Sequence, residues 1–279
     1  MGKITFSGVL DVIKYSVAVL RHEGLDRVLL YGARYLCWNL QFERAVQDFP
    51  SPLPMVVYHL IKSSVRWRVN LLNKLYPNKY TDADPYKRIF VDPASIENTT
   101  GERSSKRRGW VVDGDWDTVG EPYMQRAVPT AIQQRFDQGL NWEKTVLADR
   151  YDGETLESCG QAIDRLYQHI RDDGYKSQRQ LLKQSSETAW DGLNDAMHPL
   201  ANEIAVDIGR DGELLWNMCG QHRLAIAKVL DIDKVCVQVF RRHTGWQQIR
   251  DQVRKTGDVP DKFSNHPDLY DLTDSKNQP

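Results

Sequence analysis

Residues 203–243 read EIAVDIGRDGELLWNMCGQHRLAIAKVLDIDKVCVQVFRRH and hold the clearest structural pattern of this 279-residue chain. Apolar side chains alternate with other residues over 204–208, which is typical of a half-buried strand. The Asp211-Gly212 pair that follows favours a tight hairpin turn, so residues 213–217 should return as a second strand. This part of the sequence therefore predicts a β-hairpin.

Helices and further short strands are predicted around this hairpin. The apolar residues over 221–230 have helical spacing, and valines alternate over 235–239. Two short β-branched and aromatic runs, 88–91 and 110–112, each precede a turn signal and predict strands. A helix is expected over 156–173, where apolar residues share one face and a glycine follows. The sequence therefore predicts both helices and strands between residues 88 and 239.

The first 80 residues carry a different pattern, which predicts an all-helical N-terminal region. Apolar residues recur at three- and four-residue steps over 6–47 and again over 56–75, and prolines separate the two segments. Such apolar faces usually pack inside a protein. The alternative is that these helices lie on a membrane surface, which would make peripheral membrane contact their role.

The composition is that of a folded protein, with 41% hydrophobic and 27% charged residues. Four cysteines lie far apart and form no Cys-x-x-Cys pair, which indicates reduced thiols and a cytoplasmic protein. The apolar runs are too short for a membrane span and the N-terminus lacks the pattern of a signal peptide, so we expect neither insertion nor secretion.

The net charge of −1 hides an uneven distribution along the chain. Residues 1–80 contain 11 basic against 5 acidic residues, 81–150 contain 10 against 12, and 151–279 contain 16 against 21. A broad surface for duplex DNA would normally raise the isoelectric point well above the value of about 6.7 found here. Nucleic acid is therefore not the favoured partner, and we expect the basic region to face the acidic remainder of the chain.

The segment Gly220-Gln221-His222-Arg223 is the sharpest chemical candidate. It lies between a predicted strand and a predicted helix, where unpaired backbone N–H groups and the helix dipole favour an anion. Arg223 can bind phosphate with two parallel hydrogen bonds, and Gly220 allows close approach of the backbone. The plainer alternative is that His222 caps the helix and Arg223 pairs with a carboxylate such as Asp207.

A second candidate is the acidic segment Asp113-Gly-Asp-Trp-Asp117. Asp115 and Asp117 could hold Mg²⁺, and any of Asp113, Asp115 or Asp117 could act catalytically as a general base for a hydroxyl acceptor. The equally weighted alternative is a turn whose carboxylates bond to nearby backbone N–H groups.

Several stretches of this sequence resemble the ParB/sulfiredoxin-like superfamily, and the Gly-Gln-His-Arg box is the most specific of them. The stretches are the Asp211-Gly212 turn, GQHRLAIAKVL over 220–230, residues 232–239 with the following Arg241-Arg242-His243, RIFVDPASI over 88–96, and residues 162–180. The resemblance implies an α+β fold with a mixed sheet over 86–250, with an insertion at about 100–150. The helical region 1–80 would precede this domain, and a peripheral or disordered tail over 255–279 would follow it.

In this superfamily the Gly-x-x-Arg box binds nucleotide phosphates, and members include CTP-driven DNA clamps, ATP-dependent sulfinic-acid repair enzymes, free-serine kinases and nucleases. The resemblance therefore implies ATP or CTP as the nucleotide, Mg²⁺ as the metal, and phosphoryl transfer to a small-molecule acceptor or hydrolysis. Gln221 stands where sulfiredoxins have cysteine, which argues against sulfinic-acid repair. The roughly 35 residues after His243 lack a helix-turn-helix pattern, which argues against a segregation clamp.

The resemblance also suggests outer contacts to the nucleotide. Gln178 falls where the family places a polar turn near the nucleotide, and Arg241 and Arg242 follow the last predicted valine strand, where they could reach a triphosphate. His222 would donate to a phosphate oxygen and Arg223 would stabilise the transferring phosphate.

The alternative function is a ParB-like DNA-binding or nuclease module. In that interpretation Lys106, Arg107 and Arg108, together with the basic N-terminal region, would hold backbone phosphates.

Overall fold

The computed structural model describes residues 17, 53–101, 107–184, 189 and 198–273. The chain divides into two compact units, Met1–Val56 and Val57–Pro279. Most of the predicted N-terminal helical region, residues 1–52 apart from Val17, lies outside the described residues.

Five strands form the sheet of the second unit. They are β1 (Arg88–Val91), β2 (Trp110–Val112), β3 (Ile204–Ile208), β4 (Leu214–Trp216) and β5 (Val235–His243). All five strands were predicted from the sequence. β4 is shorter than expected, and β5 continues through Arg241 and Arg242 to His243 because β2 and β3 both pair with its second half.

The α-helices of the described residues are α1 (Leu53–Leu75), α2 (Ala127–Phe136), α3 (Gly153–Asp173), α4 (Gln178–Gln184), α5 (Gln221–Val229), α6 (Thr244–Thr256) and α7 (Tyr270–Thr273). Short 3-10 turns lie between them, at Pro93–Ser95, Tyr123–Gln125, Trp142–Lys144, Pro199–Ala201, Asp261–Phe263 and Pro267–Leu269. The predicted helices over 156–173 and 221–230 correspond to α3 and α5.

β5 is the centre of the sheet. β1 runs antiparallel beside its first half, and β2 runs parallel beside its second half. On its other side lies β3, which is parallel to β5, and β4 returns antiparallel to β3. The sheet is therefore mixed, and the fold is α+β as the sequence indicated.

One face of the sheet carries the main hydrophobic core. The alternating valines of β5 and the alternating isoleucine and valine residues of β3 point to this face, where α2, α3 and α5 cover them. α5 is apolar over most of its surface and is buried between the sheet and α2. This packing fixes the start of α5 against the end of β4.

α1 packs against the segments that lead into β1 and β2, since Asn73 donates to the Tyr80 carbonyl and Val69 lies beside Gly109. Tyr58 and Val69 on this helix are buried, and the Tyr58 ring stacks on His198 with 4.8 Å between ring centroids. The boundary between the two compact units falls within α1, between Val56 and Val57. No helix in the described ranges is both long enough and apolar enough to cross a membrane.

The C-terminal segment packs on the sheet over much of its length. α6 continues to Thr256, inside the tail that was expected from 255, and Leu269 is buried in the core. Asp268 is fully buried and accepts a 2.9 Å hydrogen bond from the indole nitrogen of Trp246. Residues 274–279, the end of the tail that was expected to be peripheral or disordered, lie outside the described residues.

Candidate functional site

A cavity of about 590 Å³ opens where β4 ends and α5 begins; we call it the α5 cavity. Three segments of the chain meet around it. Its lining residues are Thr99, Thr100, Gly101, Val119, Gly120, Glu121, Arg126, Trp216, Met218 and Gln221. The cavity is therefore lined by polar backbone groups, the cation of Arg126, the carboxylate of Glu121 and the aromatic ring of Trp216.

The turn from β4 into α5 requires a glycine at its last position. Gly220 has a φ of +71°, in the left-handed region, and is the N-cap of α5. A Cβ atom on this residue would lie 2.6 Å from the Cα atom of Ile204. Because Gly220 has no side chain, it brings no capping acceptor to the first N–H groups of the helix, which favours an external anion there.

Arg126 is the cation of the α5 cavity. Its Nη1 atom lies 2.5 Å from Glu121, and its guanidinium lies 5.0 Å from the centroid of the Trp216 ring. The Nε–H group is buried and has no hydrogen-bond partner within the part of the chain that the structure describes. A buried donor without an acceptor costs free energy, but this atom is itself shielded, so a ligand in the cavity would contact the rest of the guanidinium, whose side chain is 34% exposed.

Neither Arg126 nor Glu121 was a candidate from the sequence. They lie in the expected insertion, in the run Glu121-Pro-Tyr-Met-Gln-Arg126, which has no periodicity or motif that marks chemistry. Their proximity to Gln221 comes from the packing of α2 against α5. The hydroxyl of Tyr123, between them in sequence, donates a 2.6 Å hydrogen bond to the carbonyl of Gln221.

The structure places the four residues of the predicted anion-binding segment, Gly220 to Arg223, in different surroundings. Gln221 lines the α5 cavity, and Gly220 shapes the turn that precedes it. His222 is half-buried at the second position of α5. Arg223 is buried at the third position, where its side chain faces the protein interior.

The Arg223 guanidinium is already bound by protein groups. Its Nη1 atom lies 3.1 Å from Glu203 Oε2, Nη2 donates to the carbonyl of Lys176 at 2.5 Å, and the group packs 4.8 Å from the centroid of the Tyr175 ring. The sequence alternative of a carboxylate partner is therefore what the structure shows, but the partner is Glu203 and not Asp207.

Gln178 belongs to the same interior cluster as Arg223. Its backbone N–H donates to Glu203 Oε1 at 2.9 Å, and its side chain is buried with an Oε1 atom that has no partner in the described ranges. The structure thus places Gln178 beside Arg223, away from the residues that line the α5 cavity.

The two arginines at the end of β5 lie in different surroundings. Arg241 is fully buried, its Nε atom lies 2.6 Å from Asp207, and its Nη2 atom donates to the Thr100 hydroxyl at 2.5 Å. Since Thr100 lines the cavity, Arg241 supports the cavity wall. Arg242 is also fully buried and pairs with Asp268 at 2.5 Å, in the C-terminal segment.

Two of the three aspartates in the acidic segment share one arginine. The Arg210 guanidinium donates to Asp117 at 2.8 and 2.9 Å and to Asp115 at 2.9 Å. Burial alone would raise the pKa of Asp117, but the hydrogen bonds from Arg210 outweigh burial and lower it. Asp113 is 86% exposed, and its carboxylate lies 3.7 Å from His243.

These contacts argue against a protein-built magnesium site at Asp115 and Asp117, because a guanidinium occupies the oxygens that a metal would need. Within the described residues, no group of three or more His, Cys, Asp or Glu side chains is arranged to hold a metal ion. The acidic segment still borders the α5 cavity, since the Trp116 carbonyl accepts a 2.8 Å hydrogen bond from the backbone N–H of Gly101.

The basic run that would hold DNA in the alternative function is partly buried. Arg108 is buried between the rings of Tyr86 and Phe240, 4.7 and 3.9 Å from their centroids, and Arg107 packs over Trp110. Lys106 lies outside the described residues. The placement of Arg108 favours a packing role, because a cation between two rings is shielded from phosphate.

Comparisons of this chain with models of protein families, with curated proteins and with solved structures find no match.

Proposed function

We propose that the protein binds a nucleoside triphosphate, ATP or CTP, in the α5 cavity and transfers its terminal phosphate to a small acceptor or to water. The observation that carries the proposal is that the Arg126 guanidinium and the start of α5, where Gly220 provides no side-chain cap, lie at one cavity. The cavity volume lies in the range of small-molecule sites. Both groups favour a negatively charged ligand.

The order of elements supports the resemblance to the ParB/sulfiredoxin-like superfamily. A hairpin of β3 and β4 leads through Gly220 into α5, and β5 follows beside β3. In this interpretation the backbone at the start of α5 contacts the phosphates as the family box does. The cationic contribution comes from Arg126, because it lines the cavity and is partly exposed, whereas Arg223 is buried in the interior beside Glu203.

The residues of the cavity suggest how the reaction proceeds. The acceptor oxygen attacks the terminal phosphorus, the bond from that phosphorus to the bridging oxygen breaks, and the nucleoside diphosphate leaves with the bonding electrons. Arg126 stabilises the charge on the transferring phosphate. Glu121 lines the cavity and accepts the proton of the acceptor. No step depends on a metal held by Asp115 and Asp117.

Calorimetric titration with ATP and CTP, with and without Mg²⁺, tests the proposal. We expect Arg126→Ala to weaken nucleotide affinity at least about tenfold, because it removes a charge-assisted contact. Arg135→Ala is the matched control, since Arg135 lies on α2 and pairs with Asp164. The control should bind as the unaltered protein does. A protein that binds neither nucleotide, or an Arg126→Ala variant with unchanged affinity, contradicts the proposal.

A further inference from the structure

One side of α1 presents large apolar side chains to solvent. Leu60, Trp67, Leu71 and Leu75 are 66%, 68%, 41% and 60% exposed. Steps of seven, four and four residues place them on one side of the helix, along about 22 Å of its length. We call these four residues the apolar stripe. The opposite side of α1 is used inside the protein, where Val69 is fully buried.

The charged residues of α1 and of the segment directly after it all have the same sign. Residues 53–80 contain five basic residues, Lys62, Arg66, Arg68, Lys74 and Lys79, and the sequence has no acidic residue in this range. Arg66 pairs with Asp84, and Lys62 packs near the Tyr86 ring. Lys74 is exposed within the face that carries the stripe. Such a helix combines apolar surface with a positive electrostatic potential.

We propose that the apolar stripe docks on the surface of an anionic lipid bilayer, with α1 lying parallel to the membrane plane. Leucine side chains and the indole of Trp67 enter the interfacial region, and the flanking cations meet the lipid phosphates. The exposed Tyr76, directly after the helix, adds a second aromatic group suited to the interface. This surface is independent of the α5 cavity.

Charge complementarity favours a lipid surface over a second copy of the chain. A symmetric dimer through the same face would bring Lys74 towards its own copy without an acidic residue of α1 between them. Like charges across an interface are unfavourable, whereas anionic headgroups attract every cation of this face.

Co-sedimentation of the full chain with vesicles tests this proposal. We expect binding to vesicles of phosphatidylcholine with 30% phosphatidylglycerol, a composition chosen as about that of a moderately anionic membrane. Pure phosphatidylcholine should bind much more weakly. Trp67→Ser should reduce binding about tenfold, because it removes a large interfacial side chain. Phe90→Ser is the matched control and should leave binding unchanged, since Phe90 is an aromatic residue on β1 with a similar exposure of 58%.

A second pair of variants tests the electrostatic contribution to vesicle binding. Lys74→Glu should reduce binding at least about fivefold at low salt, whereas Lys255→Glu, the same charge change at the exposed end of α6, should have little effect. Failure of the unaltered protein to bind anionic vesicles overturns the proposal, as does equal binding by Trp67→Ser and Phe90→Ser. A concentration-dependent dimer that Trp67→Ser disrupts, without vesicle binding, would assign the stripe to self-association instead.

Discussion

Arg223 and Glu203 form an ion pair of 3.1 Å in which both side chains are almost completely buried. The pair joins the first turn of α5 to the residue that precedes β3. Glu203 also accepts the backbone N–H of Gln178, so one carboxylate connects α5, α4 and the sheet. An arginine that the sequence motif assigns to phosphate is thus an internal connector, and it acts on the α5 cavity by fixing the helix that borders it.

We therefore expect Arg223→Met to lower stability. Removing one partner of a buried pair leaves the other charge uncompensated and costs about 3–5 kcal/mol of unfolding free energy. Denaturant unfolding monitored by circular dichroism measures this cost. A double variant, Arg223→Met with Glu203→Met, should recover part of the loss because no buried charge then remains unpaired. If Arg223 instead contacted phosphate, Arg223→Met would abolish nucleotide binding at unchanged stability.

The contrast between Arg223 and its helix shows what the sequence can predict. α5 and β3 were predictable because their apolar residues repeat with a local period, and burial of those residues decides the fold. The direction of the Arg223 side chain depends on which carboxylate folding brings near it. Glu203 is twenty residues away in sequence, and nothing in the local pattern distinguishes it from Asp207. Asp207 instead pairs with Arg241.

The residues of the α5 cavity show the same limit of prediction from sequence. Gln221 was predictable because the turn-helix motif marks it. Arg126 reaches the cavity through the packing of α2 on α5, and its partner Glu121 lies in a segment without regular periodicity. The aspartate segment was recognised, but its arginine partner Arg210 lies on the β3–β4 turn, more than ninety residues later. The local pattern of residues along a sequence does not show which distant side chains will pair after folding.

Gly220→Ala should be strongly destabilising, since a Cβ atom there meets the backbone of Ile204 as well as an unfavourable φ. Gly257→Ala is the matched control, because Gly257 ends α6 with a φ of +79° and a Cβ atom there would meet open space. We expect a loss of about 1 kcal/mol for Gly257→Ala and about 3 kcal/mol or more for Gly220→Ala. Thermal unfolding of both variants measures the difference, and equal losses would show that the turn into α5 can relax.

His198 should make stability depend on pH above the range in which carboxylates titrate. Burial, together with the nearby His59, lowers the pKa of His198 to about 4. The folded state therefore disfavours the charged ring. The contribution of the neutral His198 ring to folding stability is fully present above the unfolded pKa near 6.5 and is lost as pH falls towards 4. We expect the free energy of unfolding to fall by about 2 kcal/mol across this window, since solvent screens part of the full effect.

His198→Asn tests this assignment. The ring nitrogen Nδ1 accepts a hydrogen bond from the backbone N–H of Leu200, and an asparagine side-chain oxygen can accept the same bond. The variant should therefore show a flatter dependence between pH 6.5 and 4 in urea unfolding. An identical pH dependence in the variant and the unaltered protein would assign the change to other groups.

Asp268 should govern acid unfolding, because three cations converge on it. Arg242, Arg250 and Lys87 all lie within ion-pair distance of its carboxylate, and both oxygens are fully buried. Burial would raise the pKa of Asp268, but the charges of Arg242 and Arg250 outweigh burial and hold it well below the ordinary value. The stabilisation is therefore present above the unfolded pKa near 4 and is lost as pH falls below it.

We expect Asp268→Asn to lower the unfolding free energy at pH 7 by about 3–5 kcal/mol, since the buried Arg242 and Arg250 and the partly buried Lys87 lose a shared carboxylate. The exposed pair of Arg171 and Asp172 provides the control, and Asp172→Asn should leave the unfolding free energy nearly unchanged. Between pH 5 and 2 the unaltered protein should lose stability more steeply than Asp268→Asn, because the variant has no carboxylate at this position to protonate. Parallel curves for the two proteins would show that the arginines find other acceptors, and that the C-terminal segment is held to the sheet by its apolar contacts alone.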